Sequence, residues 1–264
     1  MEIYQQTAMS SISDSYSENG YYHARGVFSP AELVELELDF DRIVRQLTAS
    51  KEQVAVRWSG AAIDKIGPKD TVVVHTHNVQ IYSAVWMRAL LQKEFLRIAT
   101  ELLGPDIVLH HTKLFQKPAE KGAPFPMHQD WSYFPTLQDT MLAGIIHVSA
   151  ATDEMGCLRV VPGSHKLGRM ADSGGMSETL SDSLRDYRIE DATIVEAGPG
   201  DVVFFNYLTL HGSMPNRSAR TRKTVLVQMH AGDDAVEEGN THANARLALQ
   251  GWNSHAKRSI ANLV

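Results

Sequence analysis

Cysteine is nearly absent: the 264-residue chain has one, Cys157. A single thiol excludes an intramolecular disulfide and any multi-cysteine zinc or iron–sulfur centre, and it fits a reducing compartment. Long apolar runs are missing too. No stretch of eighteen apolar residues occurs, and the opening segment MEIYQQTAMSSISDSYSENG has neither a basic start nor an apolar run. Neither a membrane span nor a secretory signal is therefore expected, and the expected location is cytoplasmic. Positive charge is in deficit, with 25 Lys and Arg against 31 Asp and Glu and a formal net charge of −6. Apart from the short NRSARTRK at 216–223 there is no basic cluster, so a nucleic-acid partner is not expected. The absence of any fixed-period repeat removes solenoids and propellers.

What is there is the composition of a globular protein, 43% hydrophobic and 21% charged, able to bury a core without covalent staples. One domain over 1–264 is expected, with a helical N-terminal part to about 104, a β-rich core over about 105–230 and a C-terminal tail over 231–264. YYHARGVF (21–28) reads as a short strand. Ser29-Pro30-Ala31-Glu32 has the form of a capping box with proline at the first helical position, opening a helix whose Leu33, Leu36, Phe40, Ile43 and Leu47 share a face. A second helix over about 84–103 carries Leu91, Phe95, Ile98 and Leu102, and Gly104-Pro105 stops it. Short β-like runs follow at 107–117, 141–150, 158–161, 192–197, 201–206 and 223–230, separated by turn signals such as GAPFP, PGS and GPGD. Strands after helices in this pattern predict a mainly β fold with flanking helices, a sandwich or jelly roll with its helices on one outer face. The polar stretch 168–190, with its Gly174-Gly175 pair, reads as a long loop and is expected to act as a lid over a site.

Chemistry first shows in PMHQDWSYFP (126–135). On a strand, His128 and Asp130 would point to one face and could reach a single metal ion. His211, after the apolar run DVVFFNYLTL, is a second candidate ligand. Two histidines and a carboxylate with open positions suit a non-haem Fe(II) oxygenase. Zinc is the competing metal, although no His-Glu-x-x-His base motif is present. His75 and His77 share a face and are the best internal rivals, but no carboxylate adjoins them. His110 and His111 are adjacent on a strand and are expected to face opposite ways, while His23, His242 and His255 fall in polar or terminal segments where a solvated or hydrogen-bonded imidazole is expected.

Taken in order, ENGYYHARGVFSPAEL, HTKLFQKP, HQDWSYFP, GCLRVVPGSHK and GDVVFFNYLTLHGSMPNRS span about residues 18–230. In these blocks the chain resembles the phytanoyl-CoA dioxygenase family of Fe(II)- and 2-oxoglutarate-dependent oxygenases. The resemblance implies a double-stranded β-helix, a cupin-like jelly roll with helices along one side. It implies a metal triad of His128, Asp130 and His211, and an arginine eleven residues after the distal histidine, Arg222, pairing with the far carboxylate of 2-oxoglutarate. Ser213 and Lys113 are implied as further cosubstrate contacts, and His77 or Asn78 corresponds loosely to another. Ile145 stands where some relatives have tryptophan.

The implied cofactors are Fe(II), 2-oxoglutarate and O₂. The implied reaction is oxidative decarboxylation of 2-oxoglutarate to succinate and CO₂, coupled to hydroxylation of an unactivated C–H in a small molecule, an amino acid or an intermediate of specialised metabolism. Desaturation, epoxidation or rearrangement are alternatives, as are a non-catalytic binding module and a zinc hydrolase. Candidate substrate contacts are Trp58, Trp131, Tyr133 and Phe134. Arg217, Arg220 and Lys223 are expected on the surface. Monomer and homodimer both remain open.

Overall fold

A computed structural model describes residues 11–57, 61–171, 184–240 and 242–256. The helices begin where local chemistry dictates. α1 (Ile12–Asn19) opens on a capping box between Ser11 and Asp14 and closes at Gly20, whose φ of 77° only glycine adopts at little cost. β1 (Tyr21–Ala24) follows. α2 (Pro30–Ser50) starts at the box expected from the sequence: the Ser29 hydroxyl accepts from Glu32 N–H at 3.3 Å and the Glu32 carboxylate from Ser29 N–H at 2.7 Å. Leu36, Phe40 and Ile43 are its buried stripe. β2 (Ala55–Val56), α3 (Ala61–Ile66) and β3 (Val73–His77) lead to α4 (Ala84–Leu90) and α5 (Lys93–Leu103).

The single helix expected over 84–103 is therefore two. Gln92 breaks it, because its side chain caps α5 by accepting from Phe95 N–H at 2.8 Å while donating to Val27 O at 3.0 Å. Leu91, expected on the buried stripe, is 48% exposed at that corner.

The strands after Pro105 are β4 (Ile107–Lys117), β5 (Phe125–His128), β6 (Leu142–His147), β7 (Leu158–Val160), β8 (Thr193–Val195), β9 (Val202–Asn206), β10 (His211–Ser213), β11 (Arg222–Ala231) and β12 (Leu247–Gln250). They form two antiparallel sheets. The larger runs β1-β9-β6-β11-β4-β3-β2, with β12 also on β4; the smaller runs β5-β10-β7-β8. The N-terminal part thus supplies three strands as well as helices, and the segment expected as a tail supplies one.

β9 shows how the layers are held. Val202 and Phe204 point into the core shared with α2, α4 and α5, where Phe40, Trp86 and Phe95 are fully covered, while Val203 and Phe205 point between the sheets against Leu158, Val160 and Val195. With both faces buried, the strand reads as a continuous apolar run rather than an alternating one. This is the jelly roll with helices on one outer face. No helix among the described residues is long and apolar enough to cross a membrane.

Of the stretch expected as a lid, residues 172–183, including Gly174-Gly175, lie outside the described residues. Its flanks are tied down. Gln129 donates to Gly168 O and accepts from Met170 N–H, and Leu184 and Ile189 pack with Met127 and Leu210.

Candidate active site

Two strand ends and the turn that follows one of them bring the metal-ligating side chains together between the sheets. β5 and β10 are paired with His128 directly opposite His211, and their rings lie 4.2 Å apart, centroid to centroid. Asp130 is not on the strand. The chain turns at Gln129, and Asp130 opens a short 3₁₀ turn, Asp130–Ser132, which folds its carboxylate back over the two imidazoles. The same-face expectation for a strand reaches the right pair by a different local route.

The donor set fits a metal ion. His128 Nε2 and His211 Nε2 stand 3.4 and 3.6 Å from Asp130 Oδ1, separations at or beyond the limit of hydrogen bonding and suited to ligands sharing one ion. Nδ1 of each ring lies against a backbone carbonyl, Pro126 O at 2.8 Å and Thr209 O at 2.9 Å. Each Nδ1 therefore carries the proton, and each Nε2 lone pair faces the cluster. Gln228 on β11 donates to Asp130 Oδ2 at 2.7 Å, leaving Oδ1 for the cluster. All three ligands are buried. Burial, then the neighbouring His128, lowers His211 to about 4, so the ring is neutral as a ligand must be. Burial alone would raise Asp130, but His211, His128 and the Gln228 amide hold it below the ordinary carboxylate value.

The cluster opens on a cavity of about 300 Å³. At one end lies Arg222, the first residue of β11, which is 8% exposed and has no carboxylate partner among the described residues. Its Nη1 donates to Gly156 O, and its Nε has no partner. Gly156 has a φ of 67°, and a Cβ there would collide with Met214 O, so glycine is required for this carbonyl to be presented. Burial pulls the guanidinium down to about 10, still charged at neutral pH. Beside it Lys117 is wholly buried, with Nζ donating to Ser213 Oγ at 2.7 Å and Met214 O at 2.8 Å. Because Ser213 accepts from Lys117, its own O–H is left to donate into the cavity. Desolvation, then Arg222, lowers Lys117 well below its ordinary value. Two buried basic groups with no acid paired to them among the described residues are costly to keep charged unless an anion joins them.

Arg222 and Ser213 thus share one end of the cavity, and Lys113 does not. On the paired strands β4 and β11, Arg222 faces Lys117 whereas Lys113 faces Leu226, four residues along, or roughly 13 Å at strand rise. Lys113 stands nearer the level of Gln228, hence of the metal cluster. Tyr133, Phe134 and Ile145 line the cavity. Trp131 lies outside it against Arg169, and Trp58 is outside the described residues. Arg217 and Arg220 are exposed, and Lys223 pairs with Glu37 and Asp41.

The histidines differ from expectation at one place. His110 and His111 do not face opposite ways: β4 carries a bulge, with His111 opposite Gln228 and Leu109 opposite Met229, so His110 has no cross-strand partner. Their Nδ1 atoms lie 2.6 Å apart. His242, expected to be solvated or hydrogen-bonded, is half-buried with its Nδ1 against Ala243 O at 3.1 Å. It lies 4.4 Å from His111, ring to ring, and with His77 these three form a second group of metal-compatible spacing. Lys117, Gln228 and His147, which lines the cavity near Arg222, were not anticipated. Lys117 shares the strand face of Lys113 and Phe115, and Gln228 is the lone amide in an apolar run; both were visible signals.

Residues 16–224 match the family model described as phytanoyl-CoA dioxygenase (PhyH). Peroxisomal phytanoyl-CoA dioxygenase of Homo sapiens is 25% identical over 229 residues, which cover 83% of this chain and 67% of the relative. A probable alpha-ketoglutarate-dependent hypophosphite dioxygenase of Stutzerimonas stutzeri is 26% identical over 226 residues, covering 83% and 77%. Among solved structures, the epimerase SnoN in complex with Fe³⁺, alpha ketoglutarate and nogalamycin RO aligns with a TM-score of 0.70 at 20% identity, over 92% of this chain and 95% of that one. EctD from S. alaskensis with bound Fe aligns at 0.68 and 20%, over 95% and 87%. At that identity the structures speak to the fold, and the jelly roll is the same. Sequence match, fold and the buried His-Asp-His cluster converge: the chain belongs to the phytanoyl-CoA dioxygenase family and is an iron- and 2-oxoglutarate-dependent oxygenase.

Proposed function

We propose that the enzyme hydroxylates an unactivated C–H of a small organic molecule, with 2-oxoglutarate converted to succinate and CO₂. The observation that carries this reading is the joint geometry of one cavity: two Nε2 atoms and one Asp130 oxygen converge in it, and a buried, acid-free Arg222 closes one end. His128, Asp130 and His211 would hold the iron, which when bound supplies the oxygen chemistry. Arg222 would take the far carboxylate of 2-oxoglutarate, with Ser213 donating a further hydrogen bond and Lys117 adding charge behind it. A planar guanidinium suits this task because it binds a carboxylate with two parallel hydrogen bonds and keeps its charge when buried. Phe115, Ile145 and Leu226, between the two ends, would exclude water from the cosubstrate's methylenes.

Substrate size is limited by the cavity, which at about 300 Å³ sits at the lower end of ligand sites and must also admit the cosubstrate. A small metabolite fits this better than a bulky acyl thioester. The retained carboxylate at Asp130 favours hydroxylation over halogenation, because no ligand position is vacated for a halide.

The test is succinate release over a panel of small molecules, with mass spectrometry of the product. A gain of one oxygen is expected; loss of two hydrogens or an unchanged mass would identify desaturation or rearrangement instead. Asp130→Ala should abolish substrate-dependent succinate release with the fold retained, and turnover at the parent rate would remove the metal assignment.

A further inference from the structure

The cavity has a second arm that the cosubstrate reading leaves unused. Lys113 lies in it with Nζ 4.9 Å from the Phe115 ring centroid, and no carboxylate of the described residues is within ion-pair distance. His77 is its cross-strand neighbour on β3, His111 precedes it by two on the same face of β4, and His242 arrives from the segment before β12. The ring nitrogens of these three histidines come within 4.8 Å of one another. Phe134 packs against His111 and His242 at 5.3 Å between centroids. Burial depresses all three imidazoles below the ordinary value. The His242 Nδ1 donates to Ala243 O at 3.1 Å and the His111 Nδ1 is shared with His110, so the ring that has its N–H to donate into the arm is His77. Lys113 is then the charged group of this arm.

Three imidazoles at such spacing also suit a metal ion, but the local field opposes one. The Lys113 charge acts unfavourably on a proton at His77, His111 or His242, and would act likewise on any cation held there. No carboxylate joins the group to compensate. Burial pulls Lys113 below its ordinary value, and Asp130, the acid that acts on it from the metal cluster, stands outside ion-pair distance. The same field attracts an anion, and a buried ammonium whose nearest acid is a metal ligand is stabilised by acquiring an anion of its own.

We propose that this arm binds the organic substrate through an oxyanion group, with Lys113 as its counter-charge and the His77 imidazole N–H as a donor. The substrate class is therefore a small organic acid, carboxylate or phosphate. Phe134 and Tyr133 cover its apolar part, and the carbon beyond the anchor faces the His128–Asp130–His211 cluster. Lys113 thereby passes from cosubstrate contact to substrate anchor. This rests on the assignment of the cosubstrate to Arg222, since only then is the Lys113 arm left for a second molecule.

The test uses the full chain loaded with Mn(II) and saturating 2-oxoglutarate, and three probes: benzoate, phenyl phosphate and the neutral benzamide. Paramagnetic relaxation of the probe's ring protons reports binding near the triad without turnover. At least one of the two anions should relax, whichever binds tighter separating carboxylate from phosphate, while benzamide should not. Lys113→Met should weaken the anion tenfold or more, and His77→Leu should weaken it measurably. Arg222→Met should spare the anion while weakening 2-oxoglutarate. Anion relaxation that 2-oxoglutarate removes, that benzamide matches, or that survives both Lys113→Met and His77→Leu in folded protein overturns the inference. So does a second bound Mn(II) or Zn(II) lost in His242→Leu, which would make the arm a metal site. Failure of the underlying reading looks different: the wild type would not bind Mn(II), or 2-oxoglutarate would be weakened by Lys113→Met and not by Arg222→Met.

Discussion

Gln228 illustrates how much of this site depends on a residue that touches no reacting atom. Its amide donates to Asp130 Oδ2, and its own Oε1 is buried without a partner. An unsatisfied buried acceptor costs free energy, so the position is held for what its other end does. That end fixes the carboxylate so that Oδ1 points at the two Nε2 atoms. Outer partners of metal ligands typically tune affinity by about 10–100-fold. Gln228→Leu, close in size, is expected to lower Fe(II) affinity within that range while leaving the unfolding midpoint of the metal-free protein near or above the parent value. Anaerobic metal titration followed by thermal melts checks both; unchanged affinity would make Gln228 a packing residue.

At the scale of elements, the chain was legible where both faces of a segment are covered. β4, β6, β9 and β11 stand out as apolar runs, and Ser29 and Glu32 announce α2. β2, β10 and β12 did not show, because each is four residues or fewer and is defined by a cross-strand partner rather than by a pattern of its own. His-Gly-Ser is not recognisable as a strand until His128 is opposite it. The bulge at His110 and the corner at Gln92 were equally hidden, since each depends on a cross-chain partner rather than on period. One such partnership carries a pH signature. Asp234 accepts from the backbone N–H of Gln138 at 2.9 Å and of Thr140 at 3.2 Å, and from the Thr140 hydroxyl at 2.6 Å, tying the entry of β6 to the exit of β11. Burial would raise its pKa, but the hydroxyls and backbone donors hold it below the ordinary value. A depressed folded pKa gives stability that is complete above the unfolded pKa of about 4 and lost as pH falls through the folded value. Asp234→Asn should cost about 1–3 kcal/mol at neutral pH. The gap from wild type, measured by urea unfolding at several pH values, should stay constant down to about pH 5 and shrink below about pH 4. A gap independent of pH would show that the charge contributes nothing.

Across the whole molecule, the metal pair and the Arg222 end are built from β4, β5, β10 and β11, whereas the Lys113 arm is closed by segments that precede and follow those strands in the chain, β3 and the stretch leading into β12. β3 covers the edge of β4 at residues 113–116, and β12 covers the same edge at 107–109. Between them Ala245 N–H donates to His110 O at 2.6 Å, Asn240 donates to Tyr133 O at 2.8 Å, and Trp252 N–H reaches Asp106 at 2.7 Å. Leu249 is buried in the main core. This segment therefore does two separable things: it caps a sheet edge that would otherwise expose unpaired backbone groups, and it delivers His242 to the cavity. Ending the chain after Glu238 removes both. The lost burial of Leu249 and the lost edge pairing should cost about 3 kcal/mol or more, or roughly 6–12 °C in the unfolding midpoint. Among the described residues, no hydrogen bond or ion pair joins Arg222, Lys117 or Ser213 to the segment, so affinity for 2-oxoglutarate in the metal-loaded protein should stay within about threefold. His242→Leu keeps the strap and removes only the imidazole, so it should leave the midpoint nearly unchanged. A shortened chain as stable as the parent would mean that the edge of β4 needs no cover. If it instead loses 2-oxoglutarate binding, the two ends of the cavity are not independent, and the division between a cosubstrate end and a substrate arm would have to be redrawn.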